Sequence, residues 1–360
     1  MKLRYILILF SFFLITPVFG ENRGPLDRPL LVGPQYPFIF LSTTFEPNTA
    51  FLMAEGDFFI QGSYTSLNTY VFSGNSAKAN DPAGASDSFD PASSNSYSVY
   101  FDGELDRRFL RVFYGFNDNI ELQLTYRDIR FFPGTLDTTI ENFHNLLSIG
   151  NQGRENTERD LLEVFIHDNQ NQENVFALTK STSAFHQESM TLGVKLSIRD
   201  TATEAISFKL SSNFSDYYIE REINELSIDD QPEHSNFNDY NLSFYYTSLF
   251  PEWSLYSGFS IANVQSSLLK RSPKEIYYFF LGLNWHLSES WDFLIQTLEY
   301  SSPFPRDNVS TISADVREVT AGFRLLFSKQ FGFDIGLVEN QSQGPQNIDI
   351  AIFSNFMLYL

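Results

Sequence analysis

The 360-residue chain has a formal charge of −20 at pH 7, contains no cysteine, and is 16% aromatic. The negative charge, without a basic stripe, argues against nucleic acid as a partner. The lack of cysteine excludes disulfide bonds and a lipid-anchored amino terminus. After residue 20 no apolar run is long enough for a transmembrane helix, so the many aromatic residues are expected on alternate positions.

Residues 1–20 have the pattern of a secretory signal peptide. Lys2 and Arg4 precede an apolar run, and Val18 and Gly20 are acceptable at positions −3 and −1 of a cleavage site. The alternative is a retained membrane anchor, for which the run is short. The sequence therefore predicts export.

The next segment, 21–52, contains several prolines, which disfavour a central strand and indicate an extended tail. It also contains the apolar runs 30–32 and 38–40. The tail is expected to lie either in the periplasm or inside a barrel lumen, and its apolar residues favour the lumen.

From residue 53 to 360 the chain alternates apolar and polar residues, as in "IELQLTYR" (120–127) and "MTLGVKLSIR" (190–199). This period of two indicates strands with one apolar face. Twelve strands are predicted near 53–66, 96–114, 119–130, 186–198, 204–214, 237–248, 253–264, 275–287, 290–301, 314–327, 330–339 and 347–360. Short connections alternate with long ones, and the last strand ends at the carboxy terminus. These features predict an all-β, antiparallel transmembrane barrel, with a soluble sandwich as the alternative.

Residues 131–185 are predicted to form an extended extracellular loop. It contains a short helix in "TTIENFHNLLSIGNQGR" (138–154), where Thr138 and Glu141 fit a capping box. It also contains a hairpin at 161–180, which gives fourteen strands if it enters the wall. The candidate functional residues of the helical part are Asp137, Ile140, Glu141, Phe143, His144, Leu147 and Arg154.

Charged residues on the polar faces of the strands are predicted to line the lumen: Asp102, Glu104, Glu121, Arg127, Lys195, Arg199, Lys209, Glu318, Arg324 and Asp334. Both signs occur, so no simple charge selectivity follows. With Asp102 and Glu104 inside, Arg107 and Arg111 would face lipid unless a bulge near 106–108 shifts the alternation. The side chains could bound a water-filled path or close the lumen as a network.

The sequence contains no motif for a metal, a nucleotide or another cofactor, and no catalytic residue is assigned. His234, Ser235 and Asn236 resemble the His–Ser–Asn set of outer-membrane phospholipases, which are twelve-stranded barrels. Here the histidine and serine are adjacent, so on a strand they would point to opposite faces. A lipase is therefore the weakest of the functional alternatives.

Three segments, "YFDGELDRR" (100–108), "FYGFNDNIELQLTY" (113–126) and "LDTTIENFHNLLSIGNQGR" (136–154), occur in this order. Together they resemble domain-of-unknown-function family 3187, a group of bacterial outer-membrane proteins. The resemblance covers most of the mature chain. It implies an outer-membrane barrel and supplies no reaction.

The sequence thus predicts a protein of the bacterial outer membrane that contacts membrane lipid and, during biogenesis, the barrel-assembly machinery. The first functional hypothesis is a porin-like passage or binding protein for a small solute or apolar compound. The second is a closed structural or surface-interaction barrel without transport.

Overall fold

The computed structural model describes residues 24–36, 45–72, 97–136, 138, 141–142, 159–160, 162–168, 173–178, 182–221, 237–264, 275–302, 315–341 and 348–360. The first strands are β1 (Phe58–Phe72), β2 (Tyr97–Asn117), β3 (Ile120–Phe132), β4 (Glu163–Asp168), β5 (Glu173–Leu178), β6 (Thr182–Asp200) and β7 (Glu204–Arg221). The remaining strands are β8 (Phe237–Leu249), β9 (Trp253–Asn263), β10 (Glu275–His286), β11 (Trp291–Tyr300), β12 (Val316–Leu326), β13 (Phe331–Asn340) and β14 (Ile348–Tyr359). A 3-10 turn, Gly24–Leu26, precedes them. Within these ranges no helix has the length and apolar character needed to cross a membrane.

Twelve of these strands form a closed antiparallel barrel. Its order is β1, β2, β3 and then β6 to β14, and β1 closes the ring by pairing with both β14 and β2. The hairpin of β4 and β5 lies outside this ring, because β4 pairs with Tyr97–Asp102 of β2, beyond the part of β2 that pairs with β3. The predicted twelve-stranded barrel is confirmed, and the fourteen-stranded alternative is wrong.

The outer surface of the barrel is apolar. Along β10, exposed side chains alternate with buried ones from Glu275 to His286. Across the barrel the exposed large apolar residues include Leu110, Leu122, Leu124, Met190, Leu192, Val194, Leu210, Phe244, Phe259, Phe279, Leu281, Ile295, Phe323, Ile335, Ile352 and Phe356. A belt of this extent fits lipid and not water. The fold is that of an outer-membrane barrel.

One end of the barrel carries the short turns, and the start of β1 and the end of the chain meet there. Phe58, which begins β1, and Leu360 exchange two backbone hydrogen bonds there. Trp285 and Trp291 flank the turn between β10 and β11 with exposed side chains, as in an interfacial aromatic girdle. In outer-membrane barrels the end with short turns faces the periplasm.

Two details of the predicted strands were wrong. The first strand begins at Phe58 instead of residue 53. The bulge expected near 106–108 is absent, because β2 pairs with β1 from Tyr100 to Tyr114 without a register shift. The regular alternation of β2 therefore turns Arg107 and Arg111 inward, where both are buried, and it leaves Arg108 exposed.

Candidate functional site

The lumen contains the segment that precedes β1. Residues 24–36 and 45–53, called the N-terminal plug here, run through it without regular secondary structure apart from the 3-10 turn. Nearly every plug residue from Leu26 onward is buried. The chain then reaches the wall at Gly115, whose amide donates to the Asp57 carbonyl at 3.0 Å. A Cβ at Gly115 would lie 1.9 Å from the Ala54 carbonyl oxygen, so only glycine permits this approach.

Cationic side chains of the wall bind the backbone carbonyls of the plug. Arg324 Nη1 donates to the carbonyls of Leu26 at 2.6 Å and Arg28 at 2.8 Å. Arg111 Nη1 donates to the Leu31 carbonyl at 2.8 Å. An extended segment has few internal partners for its carbonyls, and buried carbonyls need a donor. The wall arginines supply these donors.

Lys195 makes the same kind of contact at the second half of the plug. Its Nζ donates to the carbonyls of Thr49 at 3.2 Å and Phe51 at 2.8 Å. The same Nζ lies 3.0 Å from Glu121 Oε1, and Glu121 Oε2 accepts the Met53 amide at 2.8 Å. This ion pair therefore binds both a carbonyl and an amide of the plug.

Two further wall carboxylates, Asp334 and Glu318, take part in these polar contacts. Asp334 pairs with Arg324 through both oxygens, at 2.7 and 3.0 Å. Glu318 Oε1 accepts the Gln35 amide at 2.8 Å and the Tyr300 hydroxyl at 2.6 Å. Charged groups that would be costly in a dry interior are thus compensated by the plug and by one another.

The carboxylate of Asp27 is surrounded by wall donors near the periplasmic end. Ser254 Oγ donates to its Oδ2 at 2.6 Å, and Asn284 Nδ2 donates to its Oδ1 at 2.9 Å. The Tyr256 hydroxyl also donates to Oδ1. His286 Nε2 lies 3.6 Å from Oδ2.

The side chain of Phe45 is buried in an aromatic cluster. Its ring centroid lies 5.8 Å from Tyr245, 5.7 Å from Tyr278 and 5.6 Å from Phe280. These wall residues belong to β8 and β10. The lumen therefore offers an aromatic surface as well as charged groups.

Next to Phe45, Glu46 lies among cations of the wall. Its Oε2 is 2.9 Å from Arg111 Nε. Burial alone would raise the pKa of the Glu46 carboxyl, but the positive charges of Arg111, Arg127 and Lys209 outweigh it and hold this pKa below its ordinary value. The ionised form of Glu46 therefore stabilises the docked plug.

This gives a pH dependence of plug docking. Because the pKa is depressed in the docked state, the stabilisation is complete above the free carboxyl's pKa of about 4.3 and is lost as the pH falls through the docked value. We expect Glu46→Gln to weaken docking at pH 7 by about 1.5–3 kcal/mol, the range for hydrogen bonds to charged groups. Proteolysis of the plug across pH 3–7 measures this.

The difference in protection between the wild type and the variant should be largest at pH 7 and should disappear only below about pH 4. A Glu46→Gln plug that is as protected at pH 7 as the wild type would contradict this role.

Of the ten charged residues predicted to line the lumen, seven lie on its inner face: Glu121, Arg127, Lys195, Lys209, Glu318, Arg324 and Asp334. Glu121, Lys195, Glu318 and Arg324 contact the plug directly. Lys209 lies 5.9 Å from the Tyr245 ring centroid.

The other three lie elsewhere. Asp102 and Glu104 share a face of β2 with the exposed Arg108, because β2 has no register shift between residues 102 and 108. They are nevertheless buried, and Glu104 Oε1 accepts the Thr135 amide at 2.6 Å in the segment that follows β3. Arg199 is exposed at the periplasmic end and pairs with Glu204 at 3.1 Å, next to a register shift between Ser197 and Arg199.

The predicted loop helix is described only in part. Thr138, Glu141 and Asn142 are helical. Glu141 is buried and pairs with Arg159 at 2.6 Å. The other candidates of this loop, Asp137, Ile140, Phe143, His144, Leu147 and Arg154, lie outside the described residues, as do His234, Ser235 and Asn236.

Sequence reasoning missed the groups around Asp27. Ser254 Oγ, His286 and Asp292 stand in line, with Ser254 Oγ 3.2 Å from His286 Nε2 and His286 Nδ1 3.1 Å from Asp292 Oδ1. The Ser254 hydroxyl proton is donated to Asp27 in this state, so it is not shared with His286. The available signal was that His286 and Asp292 lie on the inner faces of two strands joined by a short turn.

Comparisons with known proteins agree with this fold. The sequence matches the family "Protein of unknown function (DUF3187)" over residues 27–353. No curated protein matches it. The COG4313 outer membrane channel from Pseudomonas putida F1 has a similar structure, with a TM-score of 0.50 and 10% identity, over 88% of this chain and 100% of that chain.

Two more distant structures are the Pseudomonas putida toluene transporter TodX and the translocator domain of autotransporter NalP from Neisseria meningitidis. TodX gives a TM-score of 0.39 at 8% identity, over 96% of this chain and 97% of its own. The NalP domain gives 0.40 at 9% identity, over 85% and 88%. The likeness to the COG4313 channel is one of fold, whereas the family match spans most of the sequence. The chain therefore belongs to the DUF3187 family of proteins of unknown function.

Proposed function

We propose that this protein is an outer-membrane passage protein for small solutes, and that the N-terminal plug is its gate. The observation that carries the proposal is the nature of the lumen's filling. A segment of the chain's own amino-terminal region fills it and is attached there by non-covalent contacts. A segment held in this way is able to move without disturbing the hydrogen bonds between strands.

The inner face of β7 supports a polar passage that opens when the plug moves. It carries short or flexible polar side chains: Ser207, Lys209, Ser211, Asn213 and Ser215. Among the described residues, Ser207 Oγ, Asn213 Nδ2 and Ser215 Oγ are buried without a hydrogen-bond partner. Buried polar atoms of this kind are usually hydrated. A hydrated strip along one wall suits a polar solute path.

The aromatic cluster of Tyr245, Tyr278 and Phe280 suits the second class of solute considered from the sequence, an apolar compound. Once Phe45 leaves, an apolar ring of similar size would find the same surface. The proposed passage thus combines a polar strip with one aromatic contact surface.

A closed structural barrel is the second candidate, and the buried ion pairs favour it. The pairs of Arg324 with Asp334 and of Lys195 with Glu121 both bind the plug. In this alternative they would hold it in the lumen permanently. In either case we propose export through residues 1–20 and insertion by the barrel-assembly machinery. We propose no enzymatic activity.

Removal of the plug distinguishes the two candidates. We expect a chain lacking residues 24–53 to pass small sugars and amino acids in liposome-swelling assays, at rates well above those of the wild type, because its lumen would fill with water. Heat-modifiable mobility in detergent gels is the control for a folded barrel. A folded deletion variant that passes no solute would overturn the proposal.

A further inference from the structure

The wall groups around Asp27 form a complete site for a carboxylate. The two oxygens of Asp27 have separate donors. Tyr256 and Asn284 donate to Oδ1, and Ser254 donates to Oδ2, near which His286 Nε2 also lies. A single carboxylate thus engages side chains of two adjacent strands. Charge-assisted hydrogen bonds of this kind are stronger than neutral ones.

A further wall residue, which makes none of these hydrogen bonds to Asp27, orients the groups of the site. Asp292, on the next strand, accepts from Asn284 Nδ2 at 3.3 Å and lies 3.1 Å from His286 Nδ1. It thereby orients the amide group and the imidazole towards the lumen. Because β9, β10 and β11 hold all these residues, the site belongs to the wall.

All five wall groups are buried, with His286 at 5% and Asp292 at 0% exposure. A buried cluster of neutral donors is costly unless an acceptor fills it. When the plug leaves the lumen, Asp27 leaves with it, and the donors are left to water or to another acceptor, of which a planar group with two oxygens matches their arrangement.

We propose that Ser254, Tyr256, Asn284 and His286 are the binding site for the carboxylate group of the transported solute, and that Asp27 occupies this site in the closed state. This inference rests on the proposed passage function and names its substrate class as small carboxylic acids. The site lies near the periplasmic end, since Ser254 is the second residue of β9 and His286 the last of β10.

The arrangement couples binding to opening. A carboxylate solute and Asp27 compete for the same donors, so the solute binds only the state from which Asp27 has withdrawn. A ligand that binds one of two states shifts the population towards it. The transported acid would therefore favour its own passage.

The test uses the full-length Asp27→Ala variant and sodium acetate. We expect acetate to raise the variant's thermal unfolding midpoint, with the rise beginning at roughly millimolar acetate and growing logarithmically above it, as fits a ligand of four heavy atoms. Acetamide, which has the same shape without the charge, and sodium chloride at equal ionic strength should have no such effect. The wild type should respond only at much higher acetate concentrations, because the tethered Asp27 occupies the site at a high effective concentration.

Two further variants control the result. In Asp27→Ala/Tyr256→Phe, which loses one hydroxyl, the acetate concentration at which the midpoint begins to rise should increase at least about tenfold, as for loss of one charge-assisted hydrogen bond. Asp27→Asn, which keeps a side chain in the site, should respond less than Asp27→Ala. Equal responses to acetate and acetamide, or an equal response of the wild type, would overturn the inference.

This experiment is independent of transport. If Asp27→Ala bound acetate but no variant let solute into liposomes, the passage function would be contradicted and the carboxylate site would be retained. Solute passage without acetate binding would do the reverse.

Discussion

Replacement of Arg324 by methionine should weaken both the barrel and the docked plug. Methionine retains much of the side chain's length but removes the partner of the buried Asp334 and the donor to the Leu26 and Arg28 carbonyls. Loss of one partner of a buried ion pair costs about 3–5 kcal/mol, because the other charge remains without compensation. Asn355 Nδ2 still contacts Asp334, at 3.3 Å, and offsets part of this cost.

The same strand provides a matched control. Arg317 pairs with Glu299, and both side chains are largely exposed, at 62% and 41%. Exposed pairs contribute about 0–1 kcal/mol, so Arg317→Met should be close to wild type. Thermal loss of heat-modifiable mobility measures barrel stability, and proteolysis of the amino-terminal segment measures plug docking. Equal behaviour of the two variants would mean that Arg324 does not hold the plug.

Replacement of Phe45 by alanine should open the lumen and leave the pairing between the barrel strands intact. Phe45 is 1% exposed and packs on three aromatic side chains of the wall. Truncation of a buried phenylalanine costs about 3–5 kcal/mol, which corresponds to more than a hundredfold in the docking equilibrium. Because Phe45 belongs to no strand, this cost falls on plug docking alone.

Liposome swelling and the thermal midpoint of the barrel, measured on the same preparation, separate the two effects. We expect faster solute entry, with a midpoint no lower than that of the chain lacking residues 24–53. The control is Phe116→Ala, since the Phe116 side chain is 54% exposed at the periplasmic end of β2. If Phe45→Ala lowered the barrel midpoint and left swelling at the wild-type rate, Phe45 would be part of a permanent core.

The sequence was sufficient for the barrel because its strands alternate in an environment with two distinct sides. Residues 120–127 and 190–199 place apolar side chains towards lipid and polar ones inward, and β3 and β6 follow this pattern. The assignment of the inward face failed at β2. Arg107 and Arg111 point inward there to bind the plug, while Asp102 and Glu104 lie on the opposite face.

The strand predicted near 290–301, β11, has no uniformly polar inner face, and the reason is physical. The inner face of β11 carries Asp292 and Gln296 but also the buried Leu294 and Leu298. Gln296 Nε2 binds the Leu30 carbonyl at 2.9 Å, so this face meets a plug that is itself partly apolar. An inner face that contacts a plug instead of water has no reason to be uniformly polar.

The partners of the plug could not be predicted from a pattern. The apolar residues of 21–52 favoured docking, but Arg324 and Lys195 bind backbone carbonyls, which every residue has. Asp27 is one of 44 acidic residues and lies 227 positions from Ser254. Such contacts between distant residues depend on the three-dimensional register of the barrel, which local periodicity does not contain.

The most direct test of plug movement uses the absence of cysteine from the chain. Thr49 Oγ1 of the plug lies 3.2 Å from Thr247 Oγ1 of β8, so Thr49→Cys and Thr247→Cys together place two thiols within bonding reach. The pair is introduced into the Phe45→Ala background and reconstituted in planar bilayers, with each single cysteine as a control. Conductance is measured on the oxidised protein and again after addition of a reductant.

We predict that the oxidised double variant does not conduct and that reduction restores its conductance. The single-cysteine variants should conduct under both conditions. Equal conductance before and after reduction, with the disulfide verified in the oxidised protein, would contradict the claim that solutes pass only when the plug moves.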